Sequence, residues 1–295
     1  MPALCLYCKS FSTDLKRVVR LADSVARFNA DRLPFVVSVP QAELPLFREH
    51  LAAMEVTLIA DEEIVRANER MDAKSVARLP GNISQQIVKS EYWRLGLSDA
   101  YLCLDSDSVF IRPFKTEEFL AADGTPYTVV NEAHELLFDA LSRGKIAVID
   151  NFRREAQLVQ DVFGRDGKAY SFGPMPMVWH RAVWESLESE YLLPHNMTFA
   201  DAIQLAPLES RWYGEALLRF RAMDLRPSEP FFKVYHYAWQ LDKDRRRGIG
   251  PEQLSQLYSG VIYQSSWERE MDWPREGGTP LSWLVRRLRR KLGRV

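Results

Sequence analysis

Short apolar runs alternate with amphipathic stretches along the first part of the chain. Residues 4–8, 35–39 and 56–60 form apolar runs that end at polar or turn residues, which predicts buried strands. Between them, apolar residues recur at helical spacing over 15–26 and 44–53, which predicts two amphipathic helices. This alternation is typical of right-handed βαβ units in a mainly parallel sheet, whose sites lie at the carboxyl ends of the strands.

The rest of the chain continues this alternation less regularly. Residues 61–82 carry many charges and end in Leu-Pro-Gly-Asn, so we expect a flexible connection or lid there. A helix from residue 84 should stop at Gly96, which suits a left-handed terminal position. Further on, the pattern predicts strands at 101–104, 109–111, 127–130, 146–149 and 231–239, helices at 132–142, 152–163 and 181–191, and an aromatic, proline-rich segment at 173–179.

Two carboxylates follow the apolar run at 101–104 directly. Asp105 and Asp107, separated by Ser106, stand where a strand of an open α/β sheet presents a site. Aspartates at i and i+2 can converge on one hard cation, and burying them without a partner would be costly. A bare D-x-D arises often by chance, so the surrounding residues decide its meaning.

Those surroundings, a helix, an apolar strand, D-x-D and a second strand ending in Arg-Pro-Phe, resemble the D-x-D region of GT-A glycosyltransferases. The segment is most similar to the bacterial DUF6492 group of polysaccharide glycosyltransferases, closely over residues 85–114 and more weakly from 4 to about 240. The resemblance implies an α/β, Rossmann-like GT-A domain over 1–280, with a mainly parallel central sheet flanked by helices. It also implies a nucleotide-sugar donor, a saccharide or lipid-linked acceptor, and Mn²⁺ or Mg²⁺ as cofactor.

The resemblance also implies where the donor binds. It assigns the metal to Asp105 and Asp107. The helix before the D-x-D strand carries Lys89 and Arg94, which would contact the donor phosphates. The alternative is that both are ordinary charges exposed to solvent. The expected donor-binding residues are Cys8, Lys9 and Ser10 at the end of the first strand, Gln85, Lys89 and Arg94 on the helix, and Asp105, Ser106 and Asp107.

Two later residues are candidates for catalysis and metal binding. Glu209 lies four residues before Tyr213-Gly214, as a glutamate does in the resembling family, although Arg211 stands where that family usually has a second acid. It is a candidate general base, or else a carboxylate that caps a helix start. His236 is either a core histidine or a further metal ligand, and an imidazole would favour Mn²⁺ over Ca²⁺.

Composition and charge add expectations about partners and location. The formal net charge of −1 over 295 residues argues against a nucleic-acid partner. Residues 281–295 hold six cations and no acid on an amphipathic helical pattern, which predicts either binding to an anionic membrane or docking on the remaining domain. The chain has three cysteines, no signal-peptide pattern and no run of ~18 apolar residues. These features predict a cytoplasmic protein, either free or peripheral on the inner face of the membrane.

The sequence therefore favours a metal-dependent glycosyltransferase of surface polysaccharide synthesis, with unassigned stereochemistry. The rival enzyme class is a haloacid-dehalogenase-type phosphatase, because residues 105–109 match its D-x-D-x-[TV] signature and Asp242-Lys243-Asp244 is a later acidic pair. A glycosidase fits less well, since aspartates in one turn are not spaced across a sugar ring. A third class is a catalytically inactive, membrane-associated binding module.

Overall fold

The computed structural model describes residues 2–266 and residue 271. The strands in this part of the chain are β1 (Leu4–Lys9), β2 (Phe35–Val39), β3 (Thr57–Ala60), β4 (Ala100–Leu104), β5 (Ser108–Phe110), β6 (Tyr127–Val129), β7 (Met177–His180), β8 (Arg226–Ser228), β9 (Phe232–Tyr235) and β10 (Gly260–Tyr263). The α-helices are α1 (Leu15–Phe28), α2 (Leu44–Leu51), α3 (Asp61–Arg66), α4 (Ala73–Ala77), α5 (Gly81–Glu91), α6 (His134–Ser142), α7 (Ile146–Val162), α8 (Arg181–Leu187), α9 (Phe199–Leu205), α10 (Glu209–Phe220), α11 (Ala238–Arg246) and α12 (Pro251–Leu254).

A five-stranded sheet of order β3-β2-β1-β4-β7 forms the centre of the fold. Its first four strands are mutually parallel and β7 runs antiparallel to β4. This confirms the predicted α/β class with a mainly parallel sheet. Because Met177 pairs with Cys103, β7 begins at the edge where the four parallel strands end. That carboxyl edge is where the D-x-D turn lies.

Strands β1 and β4 are buried on both faces, as their continuous apolar sequences require. Alternate side chains point to opposite faces, so Tyr7 and Tyr101 enter one core cluster while Leu6 and Leu102 enter the other. The first cluster includes α5 and α8–α10, and the second includes α1 and a group of phenylalanines around Phe114. Helices therefore cover both faces of the central sheet.

A smaller sheet of order β5-β10-β9 attaches the later part of the chain to the D-x-D turn. Strand β10 is antiparallel to β5 and parallel to β9. Beyond their pairing, the Tyr263 N–H donates to the Asp107 carbonyl at 3.2 Å. The carboxyl ends of β9 and β10 consequently lie at the D-x-D turn as well.

Helices α6 and α7 form a hairpin between β6, which pairs with β8 in a separate two-stranded sheet, and β7 of the central sheet. Its base is closed by a bridge between Asn131 and Ser171, in which each N–H donates to the other's carbonyl, at 3.1 and 2.7 Å. An ion pair between Arg165 and Glu215 fixes the end of the hairpin against α10. The hairpin thus rises beside the carboxyl edge of the central sheet.

Three expectations about local structure were wrong. Residues 61–82 form α3, α4 and the start of α5, because Ile64, Val65 and Val76 reach the core despite the surrounding charges. Residues 146–149 are the first turn of α7, since a short apolar run can belong to either a strand or a buried helix face. The strand predicted over 231–239 is shorter, ending at Tyr235 before α11 begins at Ala238.

One further expectation, the helix stop at Gly96, is confirmed, and another, the C-terminal amphipathic segment, is not tested. Gly96 ends the helical segment with φ of 62°, which confirms the predicted stop. The basic amphipathic segment 281–295 lies outside the described residues. In the part of the chain that is described, no helix is both long enough and apolar enough to cross a membrane.

Candidate functional site

Lys89, Asp105 and Glu209 meet at the carboxyl edge of the central sheet. The Lys89 Nζ lies 2.7 Å from Asp105 Oδ1 and 3.6 Å from Glu209 Oε1. The lysine side chain is only 4% exposed, whereas that of Asp105 is 25% exposed. One buried ammonium therefore links the D-x-D turn to the first residue of α10.

Packing of α5 against β4 and α10 sets this geometry. The Tyr101 hydroxyl, on β4, donates to the Lys89 carbonyl at 3.0 Å. The side-chain oxygen of Gln86, three residues before the lysine, accepts from the Glu209 N–H at 3.2 Å. Gln85, the glutamine predicted from the sequence to bind the donor, precedes Gln86 and is half-buried. The i, i+3 spacing of Gln86 and Lys89 on one helix face was the available signal.

Burial and charge act in opposite directions at this cluster. Burial alone lowers the pKa of Lys89, but the negative charges of Asp105 and Glu209 help to raise it well above its usual value. Burial raises the pKa of Glu209, a shift that the Lys89 charge opposes and the Asp105 charge reinforces. The site therefore holds a permanent cation beside a carboxyl group that takes up a proton more readily than usual.

Asp107 lies deeper than Asp105 and is only partly satisfied. Its Oδ2 accepts from the Ser265 N–H at 2.7 Å, and its Oδ1 is buried with no hydrogen-bond partner among the described residues. Burial, reinforced by the Asp105 charge, raises the pKa of Asp107 to about 7. Ser106 between them is also buried. A buried carboxylate oxygen without a partner marks a position that a ligand can satisfy.

The two aspartates fit a divalent cation that prefers oxygen ligands. Asp107 offers its unsatisfied Oδ1 and Asp105 offers a partly exposed carboxylate, as Mn²⁺ or Mg²⁺ requires. Within residues 2–266 and 271, however, no group of three His, Cys, Asp or Glu side chains is arranged to hold a metal. The predicted trio with His236 is therefore not assembled. Burial, aided by the charge of Lys233, lowers the pKa of His236 to about 4.

The three donor-binding candidates at the end of β1, Cys8, Lys9 and Ser10, lie at the same edge but differ in burial and contacts. Cys8 and Ser10 are buried, and burial raises the pKa of the Cys8 thiol. The Lys9 Nζ lies 3.3 Å from Asp61 Oδ2 and donates to the Ser10 carbonyl at 3.1 Å. Lys9 and Asp61 line a cavity of about 120 Å³ whose other walls include Val65, Val76, Ser84 and Val88.

Arg94 belongs to a different ion-pair cluster. Its guanidinium donates to the carboxylates of Glu91 and Glu188, and Glu91 also accepts from Asn68 at 3.0 Å. These contacts join the 3-10 helical turn Tyr92–Leu95, which follows α5, to the π-helical turn Glu188–Leu192, which follows α8, so the Arg94 guanidinium already has partners. Arg94 is thus not brought together with Lys89 and Asp105.

The acidic pair required by the phosphatase alternative is misplaced. Asp242 and Asp244 lie within α11 rather than at the end of a strand, and Asp244 accepts from the Tyr235 hydroxyl at 2.9 Å. The D-x-D itself follows the fourth strand along the chain, whereas that family puts it on the first. No observation on the described residues favours the phosphatase over the glycosyltransferase or the inactive binding module.

The fold and the site define an α/β protein with paired aspartates and a buried lysine at the carboxyl edge of a mainly parallel sheet. Residues 3–223 match the family described as "Family of unknown function (DUF6492)", and the chain belongs to this family, which confirms the sequence-based resemblance. No curated protein matches the chain.

Three solved structures are similar to the chain at low identity. The galactosyltransferase LgtC, in complex with donor and acceptor sugar analogues, is 13% identical with a TM-score of 0.47. The match covers 95% of this chain and 99% of the LgtC chain. Mouse xyloside xylosyltransferase 1 in its apo form is 11% identical with a TM-score of 0.44, covering 90% and 98%. The bifunctional glycosyltransferase WbbM in its apo form is 10% identical with a TM-score of 0.46, covering 89% of this chain and 46% of its own. The chain therefore spans less than half the length of WbbM.

Proposed function

We propose that this protein is a metal-dependent glycosyltransferase that moves a sugar from a nucleotide-sugar donor to a saccharide or lipid-linked acceptor in surface polysaccharide synthesis. Residues 1–280 would form its catalytic domain. The observation that carries the proposal is the cluster of Lys89, Asp105 and Glu209 beside the unsatisfied Asp107 Oδ1. In this cluster, two carboxylates that would hold the metal lie with a buried cation and a candidate base.

On the donor side, Asp105 and Asp107 would hold Mn²⁺ or Mg²⁺, which supplies charge stabilisation for a leaving nucleoside diphosphate when bound. Lys89 adds a positive charge that cannot move away, because the protein buries it and holds it at 2.7 Å from Asp105.

On the acceptor side, Glu209 would remove the proton of the attacking hydroxyl in an inverting reaction. Its raised pKa supports this role, because a base works best when its pKa is near the working pH. Lys89 would keep the charged form of Glu209 available by compensating it at 3.6 Å. A retaining reaction would not need Glu209 as a base.

Calorimetric titration of nucleoside diphosphates with Mn²⁺ tests the donor site. We expect wild type to bind uridine or guanosine diphosphate only with the metal, and Asp107→Asn to lose this metal-dependent binding because it loses a carboxylate ligand. Asp242→Asn on the exposed part of α11 is the matched control and should bind as wild type does. Equal binding by Asp107→Asn, or equal binding by wild type in a chelator, would show that the assignment is wrong.

A screen for turnover then separates the enzyme classes. Release of a nucleoside diphosphate from a nucleotide sugar, dependent on added acceptor, supports the transferase. Release of phosphate from phosphomonoesters would instead support the phosphatase. Metal-dependent nucleotide binding without any turnover would indicate the inactive binding module.

A further inference from the structure

Arg211 is a buried cation whose terminal hydrogen-bond donors are unused. It lies in the first turn of α10 and is only 3% exposed. Its Nη1 and Nη2 are shielded from solvent and have no hydrogen-bond partner among the described residues. A guanidinium keeps its charge in proteins and carries five N–H donors, so burying it without partners is costly. An unsatisfied buried group of this kind marks a position that a ligand can satisfy.

The acids nearest to Arg211 do not bond to its terminal nitrogens. Glu215 follows it by four residues on α10, a spacing that suits an ion pair, but both Glu215 carboxylate oxygens accept from Arg165. Glu155 of α7 acts on Arg211 only through its charge, without a hydrogen bond to Nη1 or Nη2. Burial lowers the pKa of Arg211, and the charges of Glu155 and Glu215 offset this only in part.

The start of α10 brings Arg211 close to the candidate acceptor side of the site. Side chains of a helix lean toward its N-terminus, and α10 begins at Glu209, whose Oε1 lies 3.6 Å from Lys89 Nζ. Residues two apart on a helix face different neighbours, so Glu209 meets α5 while Arg211 meets α7. The helix dipole adds positive potential at the same end. The guanidinium therefore lies beside the cluster of Lys89, Asp105 and Glu209, not within it.

Phe152 of α7 forms one wall of this position. Cζ of Arg211 lies 4.3 Å from the centre of the Phe152 ring, so the ring covers the flat face of the guanidinium. Stacking of this kind leaves the N–H groups in the guanidinium plane available to a second partner. Because both terminal nitrogens are shielded in this conformation, a ligand reaches them when the half-buried Phe152 ring or the guanidinium turns.

We infer that Arg211 binds an oxyanion, a carboxylate or a phosphate group, carried by the acceptor of the proposed transfer. A guanidinium matches either group through two parallel hydrogen bonds. A neutral acceptor would leave the buried charge unpaired, so Arg211 selects for acidic acceptors. The identity of the ligand as an acceptor rests on the proposed function, whereas binding of the anion itself requires neither metal nor turnover.

Calorimetric titration of the full chain, without metal or nucleotide and at constant ionic strength, tests this inference. Glucuronate represents an acidic sugar, dimethylallyl phosphate represents a lipid-linked phosphate, and glucose is the neutral counterpart. We expect wild type to bind one of the two anions, which identifies the source of the oxyanion, and not to bind glucose. Arg211→Met should bind that anion at least about tenfold more weakly, because charge-assisted hydrogen bonds are lost. Arg211→Lys should be intermediate, since it keeps the charge without the paired donors.

Arg219→Met is the matched control, because Arg219 is an exposed arginine of the same helix. It should bind the anion as wild type does. The melting temperature of Arg211→Met, measured without ligand, should equal or exceed that of wild type, since an unpaired buried charge opposes folding. If Arg211→Met does not fold, Arg211→Gln takes its place in both measurements.

Equal anion affinity in wild type and Arg211→Met overturns the inference, and so does a wild type that binds neither anion. A clearly lower melting temperature in both Arg211→Met and Arg211→Gln also overturns it, because it shows that the guanidinium serves the fold. Binding of nucleoside diphosphates without metal would remove the proposed function but would not alter these titrations, so the two failures are distinguishable.

Discussion

Replacing Lys89 with methionine tests whether the buried lysine is what allows two carboxylates to share this edge of the sheet. The substitution keeps the length and apolar stem of the side chain but removes the charge. Asp105 then loses a partner at 2.7 Å and Glu209 loses one at 3.6 Å. We expect a large loss of unfolding free energy, because the remaining charges lie close together without compensation.

The size of the loss follows from these distances. With an effective dielectric constant of about 20, the ammonium attracts Asp105 by about 6 kcal/mol and Glu209 by about 5 kcal/mol. Removing the lysine also removes the cost of burying its charge, several kcal/mol, and water screens Asp105 because its side chain is 25% exposed. The net loss should therefore be about 3 kcal/mol, the lower end of the range for a broken buried pair.

Urea unfolding followed by circular dichroism measures this loss. Lys168→Met is the matched control, because it breaks the pair of Lys168 with Glu132 on the surface, where solvent screens both side chains. The control should unfold close to the wild-type midpoint. If Lys89→Met loses no more stability than Lys168→Met, the carboxylates at the site do not depend on the lysine and the electrostatic reasoning fails.

Two further substitutions test packing and chemistry. Gly214→Ala would put a Cβ 2.0 Å from Cγ of Phe172, so overpacking should cost about 1–3 kcal/mol in urea unfolding, whereas Gly81→Ala, with no atom within 4 Å, should not destabilise. Glu209→Gln should lower turnover about 10²–10⁴-fold in steady-state assays while leaving the affinity for the donor unchanged, because the change lies on the acceptor side. Unchanged turnover would remove Glu209 from the mechanism.

The central sheet was predictable because its parallel strands carry short, mainly apolar runs, with Ser38 as a polar residue inside β2. Strands β1, β2 and β4 lie within one or two residues of their predicted bounds, since each short apolar run is closed by turn residues and the first two alternate with amphipathic helices. Segment 61–82 was not predictable in the same way. Its apolar residues Ile64 and Val76 reach the core from short helices whose other faces are charged. The helical spacing of apolar residues is therefore hard to recognise among the charged ones.

The residues that form the site were harder to predict than the position of the site in the fold. Asp105 and Asp107 follow a recognisable strand, so the carboxyl edge of the sheet could be identified from sequence. The contact of Lys89 with both Asp105 and Glu209 joins three distant segments, and no spacing in the sequence encodes it. Choosing between Gln85 and Gln86 required the rotation of α5 about its axis, which only its packing against α10 determines.

The bridge between Asn131 and Ser171 has a consequence for how this protein can vary. Two backbone hydrogen bonds bring the ends of the excursion 132–170 to a single point, so the strands on either side do not depend on its length. Insertions at the turn between α6 and α7, around Gly144, can therefore alter the outer surface while the D-x-D turn keeps its place. The base of the excursion does not share this freedom, because Val159 and Phe163 are buried in the core cluster that also contains Trp212.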